Sequence, residues 1–224
     1  MKPLSRLALS ALVVALVARP AAAQQSNDRN YRWYWGGQTG AFLYQTNAQG
    51  YYFDPVIGAH MLITKKRSAL YIGGEQAFFL ADGRAVVADP SSTTTRRDAT
   101  FSQVRRWFAG VLAFPLQKRI EPFVGGGFAI MTVQDATVDC SGTTLNSLCA
   151  DQAVAQAAVD DARSKGFAWI MGGMQINIGK LAVFGHYMLT SDAQGFLIAG
   201  PTHSIQGGIR YSLGTSKEDV NTAH

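Results

Sequence analysis

The side chains here that could do chemistry are four histidines, two cysteines and a few charges set among apolar residues. The histidines are His60, His186, His203 and His224. A nucleophile needs a base within hydrogen-bond reach. His203 and Ser204 adjoin, but neighbours on a strand point to opposite faces, so they do not pair in that way. His186 and Glu75 are a second base–acid candidate, and packing and charge pairing account for them more simply. The reading is therefore not an enzyme, and no cofactor or metal is expected. Cys140 and Cys149 share one polar segment, Asp139 to Asp151, with no histidine nearby in sequence. That predicts a disulfide closing a small loop rather than a metal pair.

A disulfide needs an oxidising compartment, and the N-terminus supplies one. Lys2 and Arg6 precede an apolar stretch, Leu7 to Val17, broken only by Ser10. Ala21-Ala22-Ala23 then stands before Gln24 as a small-residue cleavage site. These are the three parts of a signal peptide over residues 1–23, cut between Ala23 and Gln24. The apolar core is shorter than the ~20 residues that a spanning helix needs. Cleavage removes Lys2, Arg6 and Arg19 and no acid, so the formal charge falls from +5 to +2. The high pI is partly the leader's, and nucleic acid is not expected as a partner.

The elements that would carry these side chains are strands. Eight segments alternate or run apolar: Tyr31–Gln45, Phe53–Thr64, Ala69–Ala81, Phe101–Leu116, Ile120–Gln134, Phe167–Ile178, Leu181–Thr190 and His203–Gly214. The turns after the second, fourth and sixth segments are short and basic: Lys65-Lys66-Arg67-Ser68, Gln117-Lys118-Arg119 and Gly179-Lys180. Those after the third, fifth and seventh are long: Asp82–Thr100, Asp135–Gly166 and Ser191–Thr202. Such asymmetry is typical of bilayer-spanning barrels with short periplasmic turns and long external loops. Within the longest loop, Asp151 to Lys165 is alanine-rich. It starts at a capping aspartate and stops at Gly166, which predicts a short helix. Residues 24–30 form an N-terminal segment, 31–214 the barrel and 215–224 a polar tail.

The alternation also assigns faces. Ile57, Ala59, Met61 and Ile63 oppose Val56, Gly58, His60 and Leu62. Leu70, Ile72 and Gly74 oppose Tyr71, Gly73 and Glu75. Leu181, Val183, Gly185 and Tyr187 oppose Ala182, Phe184, His186 and Met188. One face is uncharged each time. A lipid-facing Arg or Lys at the midplane costs about 2–4 kcal/mol, so Glu75, Arg210, His60 and His186 should point inward. Arg105 and Arg106 are adjacent, so one faces each way. The sequence does not decide which, and Arg106 is carried as the inward candidate. Glu75, Arg106, Arg210, Gln206, His60 and His186 then form an interior polar network, with Gln38 and Ser212 also available. Phe42, Tyr71, Phe79 and Phe184 are expected to fill the lumen. Aromatics near segment ends (Tyr31, Trp33, Tyr34, Trp35, Tyr51, Tyr52, Phe53, Phe101, Phe114, Phe167, Tyr211) are expected to form interfacial girdles.

With the leader, the eight segments and the turn alternation in hand, the chain resembles the small outer-membrane β-barrels of the OmpA/OmpX type over residues 31–214. The last segment resembles that family's C-terminal insertion signal: Gln206, Gly208, Tyr211 and Leu213, with Leu rather than Phe at the end. The resemblance implies an all-β, eight-stranded antiparallel up-and-down barrel in the outer membrane. It also implies contact with outer-membrane lipid and with the barrel assembly machinery. It does not fix an activity, and a structural role or an extracellular ligand met by the loops is the expectation. Lipid A deacylases of this architecture use a His and a Ser two apart on one strand face, and no His-x-Ser occurs here. The alternatives are a narrow ion pore, a lipid-modifying barrel enzyme, and a soluble periplasmic lipocalin-like ligand carrier, which would put apolar residues inside.

Overall fold

The structure, a computed structural model, describes residues 30–88, 96–141 and 151–217. The signal peptide with its Ala23–Gln24 cleavage site, Cys149 and His224 lie outside those residues. The strands are β1 (Asn30–Thr46), β2 (Tyr52–Lys65), β3 (Ser68–Ala88), β4 (Arg96–Ala113), β5 (Ile120–Gln134), β6 (Thr137–Val138), β7 (Ser164–Ile178), β8 (Leu181–Thr190) and β9 (Ile198–Lys217). One helix, α1 (Gln152–Ala162), precedes β7.

Every described pairing is antiparallel and runs between neighbours around a ring: β3-β2-β1-β9-β8-β7-β5-β4, closed by β4 on β3. Eight strands thus close into a barrel, and β6 is a two-residue addition beside the upper part of β4. Closure removes the open edges that a sheet otherwise presents. Alternation along each strand then divides lumen from exterior. β8 reads Leu181 out, Ala182 in, Val183 out, Phe184 in, through to Thr190.

The short turns follow from local chemistry. Gly179 opens the β7–β8 turn at φ 63°, a conformation that glycine adopts without steric cost. Pro115 lacks an N–H to donate, so β4 stops at Ala113, before the expected Leu116. Phe114 N donates instead to Arg67 O across the rim.

All three expected long loops are partly strand; in Asp135–Gly166 this is β6 and the start of β7. β3 continues to Ala88 and β4 starts at Arg96, so only residues 89–95 separate them. The extension alternates too: Gly83 and Ala85 are buried against Arg97, Ala99 and Phe101. A register shift between Phe78 and Gly83 marks where this hairpin leaves the barrel wall. Side chains of the β1–β2 loop bind its edge. Asn47 Nδ2 donates to Val86 O (2.6 Å), Val86 N donates to Asn47 Oδ1 (2.7 Å), and Arg84 N donates to Gln49 Oε1 (2.8 Å). β9 likewise starts at Ile198, inside the expected 191–202 loop, and runs to Lys217, past the expected end at Gly214.

The helix is shorter than its sequence signals. Asp151 caps it, accepting from Ala153 N (2.9 Å) and Val154 N (3.2 Å). It ends at Ala162, because Ser164, Lys165 and Gly166 pair with β5 as the start of β7. A sheet partner therefore outcompetes the glycine stop.

Small residues are placed where strands crowd. Gly110, Gly127 and Trp169 lie in one row across β4, β5 and β7. The indole lies over Gly110 and donates Nε1–H to Phe128 O (3.0 Å). Inward Gly40 faces the backbone of Ile205 and Gln206, whereas outward Gly37 has open space. Gly40→Ala is expected to lower barrel stability by about 1–3 kcal/mol through overpacking. Gly37→Ala should leave it unchanged or raised. Urea unfolding midpoints in lipid vesicles, followed by gel heat-shift, compare the two.

Candidate functional site

The lumen is built in layers. The layer toward the short turns is apolar, from Leu62, Tyr71, Phe108, Leu112, Phe123, Trp169 and neighbours. The layer toward the long loops is apolar as well, with Phe42, Tyr44, Val56, Phe101, Val104 and Met131 among its members. The Glu75–Arg106 pair occupies the level between them.

Glu75 (5% exposed) and Arg106 (1%) form an ion pair there, and the two residues are direct partners across β3 and β4. Glu75 Oε2 also accepts from Gln206 Nε2 (2.8 Å) and Gln38 Nε2 (3.2 Å). Tyr71 OH donates to Gln38 Oε1 (3.0 Å), and Arg106 Nη2 donates to Ser204 Oγ (2.7 Å). Strands β1, β3, β4 and β9 are thus tied through one carboxylate. Breaking a buried pair by removing one partner costs about 3–5 kcal/mol, because a lone charge stays behind.

Arg210 (0% exposed) is held differently. Its Nε donates to His60 Nε2 (2.9 Å) and its Nη1 to Gln175 Oε1 (2.6 Å). Its guanidinium lies 4.0 Å from the Phe184 ring centroid, with Phe123 and Tyr71 farther away. Aromatic faces favour a cation most where water is excluded. Gln175 Nε2 relays to Glu121 Oε2 (2.7 Å) at the mouth on the short-turn side. Because His60 Nε2 accepts, its proton sits on Nδ1.

His186 is buried on β8 beside Gln206 of β9, and its ring stacks on Phe184 at 5.7 Å. Neither of its ring nitrogens meets a hydrogen-bond partner among the described residues. The two oxygens of Glu75 are engaged by Arg106, Gln206 and Gln38, so Glu75 and His186 are not arranged as an acid–base pair. His203 and Ser204 lie on opposite sides of β9. Ser204 is buried inside, while His203 meets the Tyr187 hydroxyl outside.

Six residues proposed from alternation therefore sit in the lumen: Glu75, Arg106, Arg210, Gln206, His60 and His186. The alternation did not single out Gln175, Ser204 or the Tyr71 hydroxyl as polar partners, although each has inward parity. Arg105 faces outward, where its Nε and Nη2 donate to Gln76 Oε1 (3.3 and 3.1 Å) and Nη2 also to Gln134 Oε1 (3.3 Å). Of the insertion-signal residues, Gln206 and Gly208 face inward, and Tyr211 and Leu213 face outward. The girdle expectation needs correction. Phe101, Phe114 and Phe167 are buried in the lumen and Tyr34 packs against its lower cluster, whereas Trp107 and Phe128 (78% exposed) lie outside.

Above the lumen, α1 roofs the barrel. Ala155 and Val159 pack into the upper cluster with Phe167, Phe196 and Leu197. Gln156 binds both Val138 N (3.1 Å) and Ala136 O (3.0 Å), and Leu197 N donates to Ala162 O (3.2 Å). Half-buried Cys140 packs against this cluster, so one end of the expected disulfide is anchored there.

The exterior is the reverse of a soluble carrier's. Trp35, Ile57, Trp107, Ile130, Ile170 and Ile209 are all exposed; Glu75, Arg106 and Arg210 turn inward, and outward Arg105, on the long-loop side of Trp107, is bonded to Gln76 and Gln134. Water would not favour so continuous an apolar belt, and hydrocarbon does.

No family model and no curated protein sequence matches this chain. Among solved structures, it is similar to Neisserial surface protein A, with a TM-score of 0.54 at 10% identity over 80% of this chain and 96% of that one. The N-terminal β-barrel domain of OprF from Pseudomonas aeruginosa also matches, at TM-score 0.39 and 10% identity over 79% of this chain and 96% of that one. So does OprG from Pseudomonas aeruginosa, at TM-score 0.36 and 10% identity over 82% and 94%.

Replacing Glu75 with Ala is expected to cost about 3–5 kcal/mol, whereas the double change Glu75→Leu with Arg106→Met should cost far less or nothing. Urea midpoints for the three proteins in lipid vesicles give the comparison. With its closed ring, inward charges and apolar belt, the chain has the fold of the small eight-stranded outer-membrane barrels.

Proposed function

We propose that this protein is an integral outer-membrane barrel whose rigid wall presents its external elements to the surroundings, as a structural or surface-interaction protein. The observation that supports this most is the lumen. Its middle is filled by a hydrogen-bonded charge network and its external end is roofed by α1 with Ala155 and Val159. A filled lumen favours a mount over a solute pore.

Contact with a partner then falls to the extended β3–β4 hairpin and to the segment carrying Cys140, Cys149 and α1. Loops on a rigid scaffold are where binding concentrates. A Cys140–Cys149 bridge would close a small loop there, from Cys140 packed against the upper cluster. Tyr211 and Leu213 on the outer face of the last strand suit contact with the assembly machinery. Cleavage between Ala23 and Gln24 is part of the same reading.

Two measurements test it. The mature protein should pellet with outer membranes, resist carbonate extraction and show heat-shifted gel mobility. Release into the soluble fraction would overturn the reading. Deleting residues 141–149 should preserve the heat shift while abolishing capture of the wild type's partners from intact cells or extracellular material. Loss of the heat shift would instead make that segment part of the barrel's assembly.

A further inference from the structure

The two rims of the barrel carry different charge. The short-turn rim presents Lys66 and Arg67 between β2 and β3, Lys118 and Arg119 between β4 and β5, and Lys180 between β7 and β8, all exposed. None of these turns contains an acid. The opposite end mixes signs, with Asp82, Asp135 and Asp161 beside Arg84 and Arg163. Glu121, the acid at the short-turn mouth among the described residues, is bonded to Gln175, so the turns themselves carry a single sign.

Beside this ring, on the outer face, lies a groove of about 440 Å³. Its wall is a single row across four strands, set by the register: Trp33 beside Ile63, Ile63 beside Leu70, Leu70 beside Val111. Lys65 stands two residues beyond Ile63 toward the rim. Its Nζ donates to Tyr31 OH (2.7 Å) and lies 4.4 Å from the centre of that ring. The aromatic ring thus fixes a cation where the apolar wall ends. Small Ser68 and Ala69 line the groove between them.

An apolar wall leading into a fixed cation has the shape and charge of one lipid: acyl chains on the row, phosphate at Lys65. We propose that the short-turn rim binds anionic phospholipid, seating one molecule in this groove and drawing others to the ring of turn cations. The inference rests on the outer-membrane barrel reading above, whose periplasmic leaflet faces these short turns.

The test uses the folded protein in mild detergent, with retained lipid counted by native mass spectrometry from equimolar phosphatidylglycerol and phosphatidylcholine. A basic side chain at an anionic lipid surface contributes about fivefold in affinity, so three give a preference of roughly 100-fold for phosphatidylglycerol. Lys65→Gln with Lys66→Gln and Arg67→Gln should reduce that preference to within a few-fold. Arg84→Gln with Arg163→Gln, at the other end, should leave it intact. In wild type, salt near 1 M, where screening acts within about 3 Å, should weaken it as well. Equal retention of the two lipids, or a preference unmoved by the rim substitutions, would overturn the proposal. Insertion into vesicles of phosphatidylcholine alone, read by heat-shifted mobility, checks the barrel reading separately. A barrel that inserts there yet shows no lipid preference refutes this inference and leaves that reading standing.

Discussion

Hydrocarbon accepts no hydrogen bond, and that constraint organises this chain. A backbone N–H or C=O left open in lipid costs several kcal/mol, so a spanning sheet must close. Here β9 returns to β1 over most of their length, and β4 pairs with both β3 and β5. Once the ring is closed, a residue's parity decides whether it meets lipid or lumen. Above the belt the sheet is no longer in lipid, and the β3–β4 hairpin continues with only β6 beside β4. Its edge is satisfied there by Asn47 and Gln49, side chains that stand in for a missing strand.

Closure moves the electrostatic difficulty inward. Charges excluded from the belt must share a lumen that holds little besides side chains. The protein deals with Glu75, Arg106 and Arg210 in two ways. Glu75 and Arg106 neutralise each other, Gln38 and Gln206 donate to the carboxylate, and Ser204 accepts from Arg106 Nη2. Arg210 has no carboxylate at contact distance among the described residues and is held by the face of Phe184 and by two neutral acceptors. The apolar layers keep water from the Glu75–Arg106 pair, and the rings of Phe184, Phe123 and Tyr71 do so for Arg210, which strengthens each interaction and raises the cost of losing a partner. A wall braced in this way holds the elements at its long-loop end in fixed positions.

Much of the site was legible because lipid enforces the period-2 signal so strictly. Glu75, His60 and His186 could be assigned to the lumen from their uncharged opposite faces. Arg105 and Arg106 could not be separated, since adjacent residues satisfy alternation either way. Only the pairing of Arg106 with Glu75 across β3 and β4 settles it. The aromatics at segment ends were ambiguous for a related reason. Phe101, Phe114 and Phe167 have the right residue type for a girdle but the wrong parity, and they fill the lumen instead. The upper hairpin escaped notice because threonine, arginine and aspartate dominate it. Its inward residues, Gly83, Ala85, Arg97 and Ala99, are small or charged, so its alternation carries little hydropathy.

By itself the sequence determined the strand number, the short-turn and long-loop ends, and which face of each strand avoids charge. These depend on nearest neighbours and on side-chain transfer into lipid, both of which are local. Tertiary structure alone decided which side chains meet: that Arg106 reaches Ser204, that Arg210 reaches His60, and that β7 takes Ser164 to Gly166 from the helix. Those outcomes rest on the register between strands and on ring closure. The register is a relation between segments far apart in the chain, and no single segment encodes it.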